Sequence, residues 1–337
     1  MSTSLLVLVP VALLFIVSGL CFVGCSLNTR GSEYDPDNPN PKPDPETKPP
    51  TKYSDKDVLA DPSVVIAYWP LDEKTPLDDT KPLTAHDAAG ANDGEYKHKG
   101  NAMGLYFPCP EIPGPPTSAP EDGFLSLGVE SIVPGDTKQP GDDPKDPTTG
   151  MQVRGAFVTV PFNAALNPSV FTLEAWVKPE WDPAVPAIRT IVDSRDNIGG
   201  PIHGFVLWVN QAGNWEAAFG DANGGFLLAT ASKADLSQPS HVVLTFDGTN
   251  AVIYVNAVPT APFQMAAAYS PNTTQDLVIG AGEPWLDDRM GGTGDQFFPL
   301  YPFNGVIQDV ALYNIVLTPS MIETHYHHGK GEEWPAP

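Results

Sequence analysis

The chain has 337 residues, and its 41 acidic against 18 basic residues give a formal net charge of −23. Negative charge on this scale repels nucleic acid and anionic membrane surfaces. The 38 prolines and 30 glycines point away from helical bundles and toward β structure joined by long loops.

Residues Ser4 to Leu27 carry no charge, and the run is long enough to cross a bilayer as a helix. It is also laid out as a signal peptide, with an apolar core followed by small residues and a cysteine. Phe22-Val23-Gly24-Cys25 resembles a bacterial lipobox, which would make Cys25 a lipidation site. The alternatives are an uncleaved single anchor and simple secretion. All three place the rest of the chain outside the cytoplasm: a cell-surface or outer-membrane lipoprotein, or a secreted or membrane-anchored protein. Gly31 to Asp57 follows, with proline at every second or third position. Such a segment builds no core and acts as a semi-rigid stalk. The expected organisation is a signal peptide or anchor over 1–27, a Pro-rich disordered stalk over 28–57, one β domain over 58–330 and a tail over 331–337.

From Val64 the pattern is short apolar runs broken by turns. Strands are predicted over Val64–Trp69, Ala156–Pro161, Phe171–Val177, Arg189–Asp193, Phe205–Asn210, Trp215–Phe219, Phe226–Thr230, His241–Phe246, Ala251–Val255, Leu277–Gly280 and Gly305–Tyr313. Phe171, Leu173, Ala175 and Val177 alternate with Thr172, Glu174 and Trp176, so one face of that strand is apolar. Asp247-Gly248 marks a hairpin turn. Trp208 and Trp215 flank another, so one of them is a candidate to face outward. Thr318, as N-cap, with Pro319 at the first helical position predicts one short helix ending near Gly329. A Pro, Gly and Asp rich stretch at about 108–150 reads as an insertion around a short strand at Phe124–Leu127. The three cysteines, Cys21, Cys25 and Cys109, make no disulfide framework, and Cys109 reads as an unreactive thiol in a Pro-rich loop. Strands at this spacing argue an all-β, two-sheet antiparallel sandwich or jelly roll.

Five stretches, in order, resemble the concanavalin A-like lectin/glucanase superfamily, in particular its laminin G-type jelly roll. They are Ala67-Tyr68-Trp69-Pro70-Leu71-Asp72-Glu73, Asp87 to Gly94, Phe171 to Pro179, His241 to Gly248 with Tyr254-Val255-Asn256, and Phe303 to Val310 with Leu312-Tyr313 and Leu317-Thr318. Ala257 stands where the family usually has glycine. The resemblance implies fold more than function, because lectins, adhesins, enzyme accessory domains and glycosidases all use this fold. It also implies a structural Ca²⁺ site between the opening segment and the closing strand, with Asp72 and Asp309 as carboxylates and Asp87 and Asn92 in the adjoining loop. A second reading makes Asp72 and Asp87 turn formers and points Asp309 to solvent.

A retaining glycosidase needs two carboxylates about 5 Å apart, which on one strand means acidic residues at alternate positions. The glycosidases of this superfamily show a Glu-x-Asp-x-Glu-like run. Here the nearest approach is Glu180-Trp181-Asp182, enclosed by Pro179 and Pro183 and therefore a loop. HExxH, G-x-S-x-G and P-loop motifs are also absent from the sequence. The domain is thus expected not to be an enzyme. Asn272-Thr273-Thr274 fits the glycosylation pattern and reads as a polar loop. In His325-Tyr326-His327-His328 the first and last histidines share a helix face; the cluster reads as a solvated helix end near the C-terminal dipole, with a transition-metal site as the alternative.

The richest ligand candidate is the loop Ala281 to Phe303. Trp285, Phe297, Phe298 and Tyr301 stand there beside Asp287, Asp288, Arg289 and Asp295. Aromatic rings stack on the C–H faces of sugars, and carboxylates accept hydroxyl hydrogen bonds. Trp285, Asp287, Asp288, Asp295 and Tyr301 are therefore the candidate ligand-binding residues, against the reading that the aromatics plug the end of the sandwich. The expected function is a surface-displayed, non-catalytic domain for carbohydrate recognition or adhesion, with calcium in a structural role. The alternatives are a structural protein that assembles with other surface proteins and, third, a glycan-processing enzyme.

Overall fold

The computed structural model describes residues 57–71, 83–99, 125–127, 155–179, 187–196, 201–286, 297–301, 303–330 and 332. Cys25, Cys109, the apolar segment, nearly all of the stalk and most of the insertion lie outside them. Among the described residues no helix is long and apolar enough to cross a membrane.

The described strands are, in chain order, β1 (Val65–Trp69), β2 (Leu83–Ala85), β3 (Gly94–Lys99), β4 (Leu125–Leu127), β5 (Gly155–Val160), β6 (Phe171–Pro179), β7 (Arg189–Asp193), β8 (Phe205–Val209), β9 (Asn214–Gly220), β10 (Phe226–Lys233), β11 (Ser240–Phe246), β12 (Asn250–Val255), β13 (Val258–Pro259), β14 (Phe263–Gln264), β15 (Leu277–Ile279), β16 (Gly282–Leu286), β17 (Phe297–Leu300) and β18 (Gly305–Tyr313). One helix, α1 (Pro319–Gly329), follows them. The first sheet runs β1-β18-β6-β11-β12-β13, with β4 beside β18 and β14 beside β12. The second runs β10-β9-β8-β7-β15-β5-β3-β2, and β16–β17 form a separate ribbon. The pairings within the two sheets are antiparallel, so the architecture is an all-β, two-sheet sandwich.

The core lies between the sheets. Phe171, Leu173, Ala175 and Val177 of β6 face Phe205, Leu207 and Val209 of β8 and Trp215, Ala217 and Phe219 of β9. Ring centroids of Phe171 and Phe205 stand 4.6 Å apart, and those of Phe219 and Phe246 5.0 Å. Each such side chain contributes about 1.5–3 kcal/mol on full burial. Trp215 is the inward member of the tryptophan pair, and Trp208 points to the outer face of the second sheet. On β7 the register shifts between Thr190 and Val192. This bulge turns both Ile191 and Val192 into the core and leaves Thr190 and Asp193 opposite the outward Trp208 and Val206.

The middle of the first sheet is covered on both faces. β6, β11 and β18 are buried along nearly their whole length, polar positions included, because α1 and the segment before β1 pack on the outer side. The helix starts as its sequence predicts, with the Thr318 hydroxyl accepting from Met321 N at 3.3 Å. The Asp247 carboxylate accepts from Thr249 N at 2.8 Å and Asn250 N at 2.6 Å, which closes the β11–β12 turn over Gly248 at φ 92°. Asn272 is 2% exposed, and its amide is locked onto Gln275 O, Thr274 N and Gln275 N, a polar turn rather than an accessible acceptor.

Candidate functional site

Antiparallel register aligns four side chains across the outer face of the second sheet. Thr190 stands opposite Trp208, Trp208 opposite Glu216, and Glu216 opposite Thr230. The Glu216 carboxylate accepts from Trp208 Nε1 at 2.8 Å, Asn210 Nδ2 at 3.0 Å and Thr230 Oγ1 at 3.0 Å. Asp193 lies in the next row, opposite Val206, and holds Arg195 through Nε at 2.9 Å and Nη2 at 2.5 Å. The Arg195 guanidinium covers the Trp208 ring at 4.8 Å and reaches Phe226 at 5.6 Å. The middle of this face is buried, Trp208 being 6% exposed, while Thr230 and Leu228 on the edge strand β10 are exposed. Trp208 is therefore a sealed ring, not an open platform. Thr190 Oγ1 is buried in the same row and makes no hydrogen bond.

The expected ligand loop starts and ends as a β-ribbon. Trp285 pairs with Phe298 and Leu286 with Phe297. The ribbon returns to the second sheet at the start of the row, where Thr190 N donates to Tyr301 O at 2.9 Å and Phe303 N to Gly280 O at 2.8 Å. Tyr301 has φ 52° and is 40% exposed. The ribbon thus sets Tyr301 beside Thr190, at one end of the row, with Thr230 at the other. Trp285 is described as a strand position only, and Asp287, Asp288 and Asp295 fall outside the described residues.

The residues implied for calcium divide. Asp87 and Asn92 meet: Asp87 accepts from Tyr68 N at 2.9 Å, Ala89 N at 3.0 Å, Asn92 N at 2.9 Å and Asn92 Nδ2 at 3.1 Å. Asn92 Oδ1 accepts from Asn163 Nδ2 at 2.7 Å, and its main-chain oxygen from Trp69 Nε1 at 2.8 Å. These oxygens are spent on closing the opening loop. Asp309 does not point to solvent. It is 5% exposed, sits at φ 52° in the β18 bulge, and accepts a hydrogen bond from the Tyr68 hydroxyl. Asp72 lies outside the described residues. Among the described residues no group of three or more His, Cys, Asp and Glu could hold a metal ion.

The histidines of α1 are not a solvated helix end. His325 Nδ1 lies 2.9 Å from Glu174 Oε2, and His328 Nδ1 lies 2.7 Å from Asp57 Oδ1; all four side chains are buried. His327 alone turns away, to Glu332 at 2.5 Å. On the far side of Glu174, His241 Nε2 stands 3.7 Å from Oε1, and the rings of Trp176 and His241 stack at 4.9 Å. Tyr326 stacks on Trp176 at 6.1 Å. Burial would raise the Glu174 carboxyl, but the charge and hydrogen bond of His325, with His241 nearby, hold it well below the usual carboxylate range. Burial would lower His325, but Glu174 outweighs it and holds the imidazole above its ordinary value. Burial, and then the charges of Glu174, Asp57 and Asp309, push the Tyr313 phenol far up.

Sequence reasoning passed over Glu174, Glu216 and the Asp193–Arg195 pair as site residues. Glu216 had a signal: counting back from the turn at Gln211–Gly213 sets Trp208 opposite Glu216. Glu174 had a weaker one, as the one acidic residue in Phe171–Val177.

The two sheets and the core they share define an antiparallel β-sandwich domain. The chain belongs to the concanavalin A-like lectin/glucanases superfamily, in its laminin G type, whose family model matches residues 153–323. No curated protein matches the chain in a sequence comparison. It is similar to the solved structure of botulinum neurotoxin type C, whose cell entry is dependent upon interaction with two ganglioside molecules, at 14% identity and TM-score 0.45 over 80% of this chain and 52% of that one. The binding domain of botulinum neurotoxin DC in complex with SialylT gives the same four values. The binding domain of Paraclostridial Mosquitocidal Protein 1 matches at 14% identity and TM-score 0.38, over 60% of this chain and 51% of that one. The chain spans about half the length of the solved chains it matches.

Proposed function

We propose that this chain is a non-catalytic binding domain held outside the cytoplasm on an N-terminal stalk, and that its ligand is a carbohydrate. The contact surface is the ribbon β16–β17 with Tyr301, where it adjoins the Thr190 end of the outward row. One observation supports binding over catalysis: among the described residues the two buried carboxylates of that face, Glu216 and Asp193, are already engaged, and the third, Glu95, stands exposed four strands from Trp208. Glu216 accepts three hydrogen bonds, and Asp193 grips the Arg195 fork. A glycosidase needs one carboxyl with a proton to give and another open to attack or to activate water.

Carbohydrate is favoured by the aromatic content of the ribbon, with Trp285 opposite Phe298 and Tyr301 exposed at its end. The acidic residues Asp287, Asp288 and Asp295, between β16 and β17 in the sequence, then serve as hydroxyl acceptors. Display rests on the uncharged segment Ser4–Leu27, with Cys25 as the lipidation point, and on the Pro-rich stalk. In the same proposal a structural calcium ion draws on Asp72 and Asp309, since Asp87 and Asn92 are committed to the loop. Glycan-array binding by the full chain and by Tyr301→Ala and Trp285→Ala variants tests the placement. Binding that weakens in both variants supports it; binding unchanged in both moves the site elsewhere.

A further inference from the structure

Helix α1 is joined to the outer face of the first sheet by apolar packing of Ile322 and Tyr326 and, beside it, by buried contacts between histidines and carboxylates. From β6 come Glu174 and Trp176, from β11 His241, from β18 Gln308, Asp309 and Tyr313, from β1 Tyr68, and from the segment before β1 Asp57 and Val58. From the helix come Ile322, His325, Tyr326 and His328, while Lys330 and His327 meet Glu332 at its exposed end. Glu174 is 0% exposed, and His325 is the imidazole in hydrogen-bond contact with it.

We propose that α1 is a pH-dependent strap, latched by the His325–Glu174 contact and steadied by His328 on Asp57, and that loss of the His325 proton loosens it. Loosening bares a face that now holds Trp176, His241, Tyr254 and Tyr313. The direction follows from the charges. Protonated His325 neutralises a carboxylate that has been taken out of water; neutral His325 leaves that charge buried with hydrogen bonds alone. Since the imidazole is held above its ordinary value, its contribution is complete below that ordinary value and disappears as pH rises through the raised one. Glu174 is held low, so its own contribution fails only in strong acid. The latch is therefore closed in mildly acidic solution and opens on the alkaline side.

Hydrogen exchange of the full chain tests this, with α1 amides compared with β6 and β11 amides after correction for intrinsic base catalysis. Between about pH 6 and about pH 9, which bracket imidazole titration, α1 should lose several-fold in protection in the parent and in His327→Gln. In His325→Gln its protection should be low and flat across that range. Equal α1 protection at both ends in the parent would overturn the proposal, as would a His327→Gln profile matching that of His325→Gln. Should His325→Gln not fold, histidine-selective NMR of the parent decides. A His325 titration above the ordinary imidazole value supports the latch, and one below it overturns it.

Discussion

Gly329, the last residue of α1, lies against the indole of Trp176 so closely that a Cβ at this position would stand 2.3 Å from Trp176 Cζ2. Glycine to alanine in a helix ordinarily adds about 0.5–1 kcal/mol of stability. Here the sign should reverse. Trp176 is 1% exposed and stacked on His241, so the ring has no room to yield. Gly329→Ala is expected to cost about 1–3 kcal/mol in denaturant unfolding, the range for overpacking a filled site. A stabilised variant would show that the helix sits further from the sheet.

Removing one partner of a buried pair leaves an uncompensated charge. His325→Leu should cost about 3–5 kcal/mol, whereas His325→Leu combined with Glu174→Met should recover most of it. A double-mutant cycle in urea measures the difference. A double variant whose loss equals the sum of the His325→Leu and Glu174→Met losses would mean that the two side chains do not depend on each other.

Asp87 closes the opening loop through main-chain donors, including the N–H of Tyr68. Asp87→Ala strands those donors and should lower stability by about 1–3 kcal/mol. The same loss is expected in calcium and in chelator. A loss seen only in calcium would make Asp87 a ligand.

Asn256 and Ala257 connect β12 to β13 with φ 53° and 64°, and Val255 pairs with Val258. A two-residue hairpin with positive φ at both central positions favours Asn-Gly. Alanine there sits in a region that costs an L-residue roughly 1–2 kcal/mol. Ala257→Gly should therefore raise the melting temperature even though glycine enlarges the unfolded ensemble. A lower melting temperature would show that the methyl group packs favourably enough to offset its strain.

That turn was marked in the sequence by a departure, alanine at a family glycine position, and its physical meaning needed φ. Alternation placed β6, β8 and β11 because their inward residues are uniformly apolar. It missed β3, where Tyr96 is the one large apolar residue among Gly94–Lys99. It also read Ala281–Phe303 as a loop, because three prolines and a glycine-rich stretch of sequence mask the short pairings of β16 and β17. The outward row Thr190–Trp208–Glu216–Thr230 was partly legible, since hairpin register follows from the turn. The strap was not: His325 and Glu174 are 151 positions apart, and no local pattern signals that a helix will cover a sheet face.

The central claim is carbohydrate binding, and the most direct test is a glycan array probed with the full chain in calcium and in chelator. The account predicts binding to a defined set of glycans, with the aromatic ribbon as the contact. Silence across the array in both conditions would contradict it and would leave a displayed sandwich whose partner is another protein.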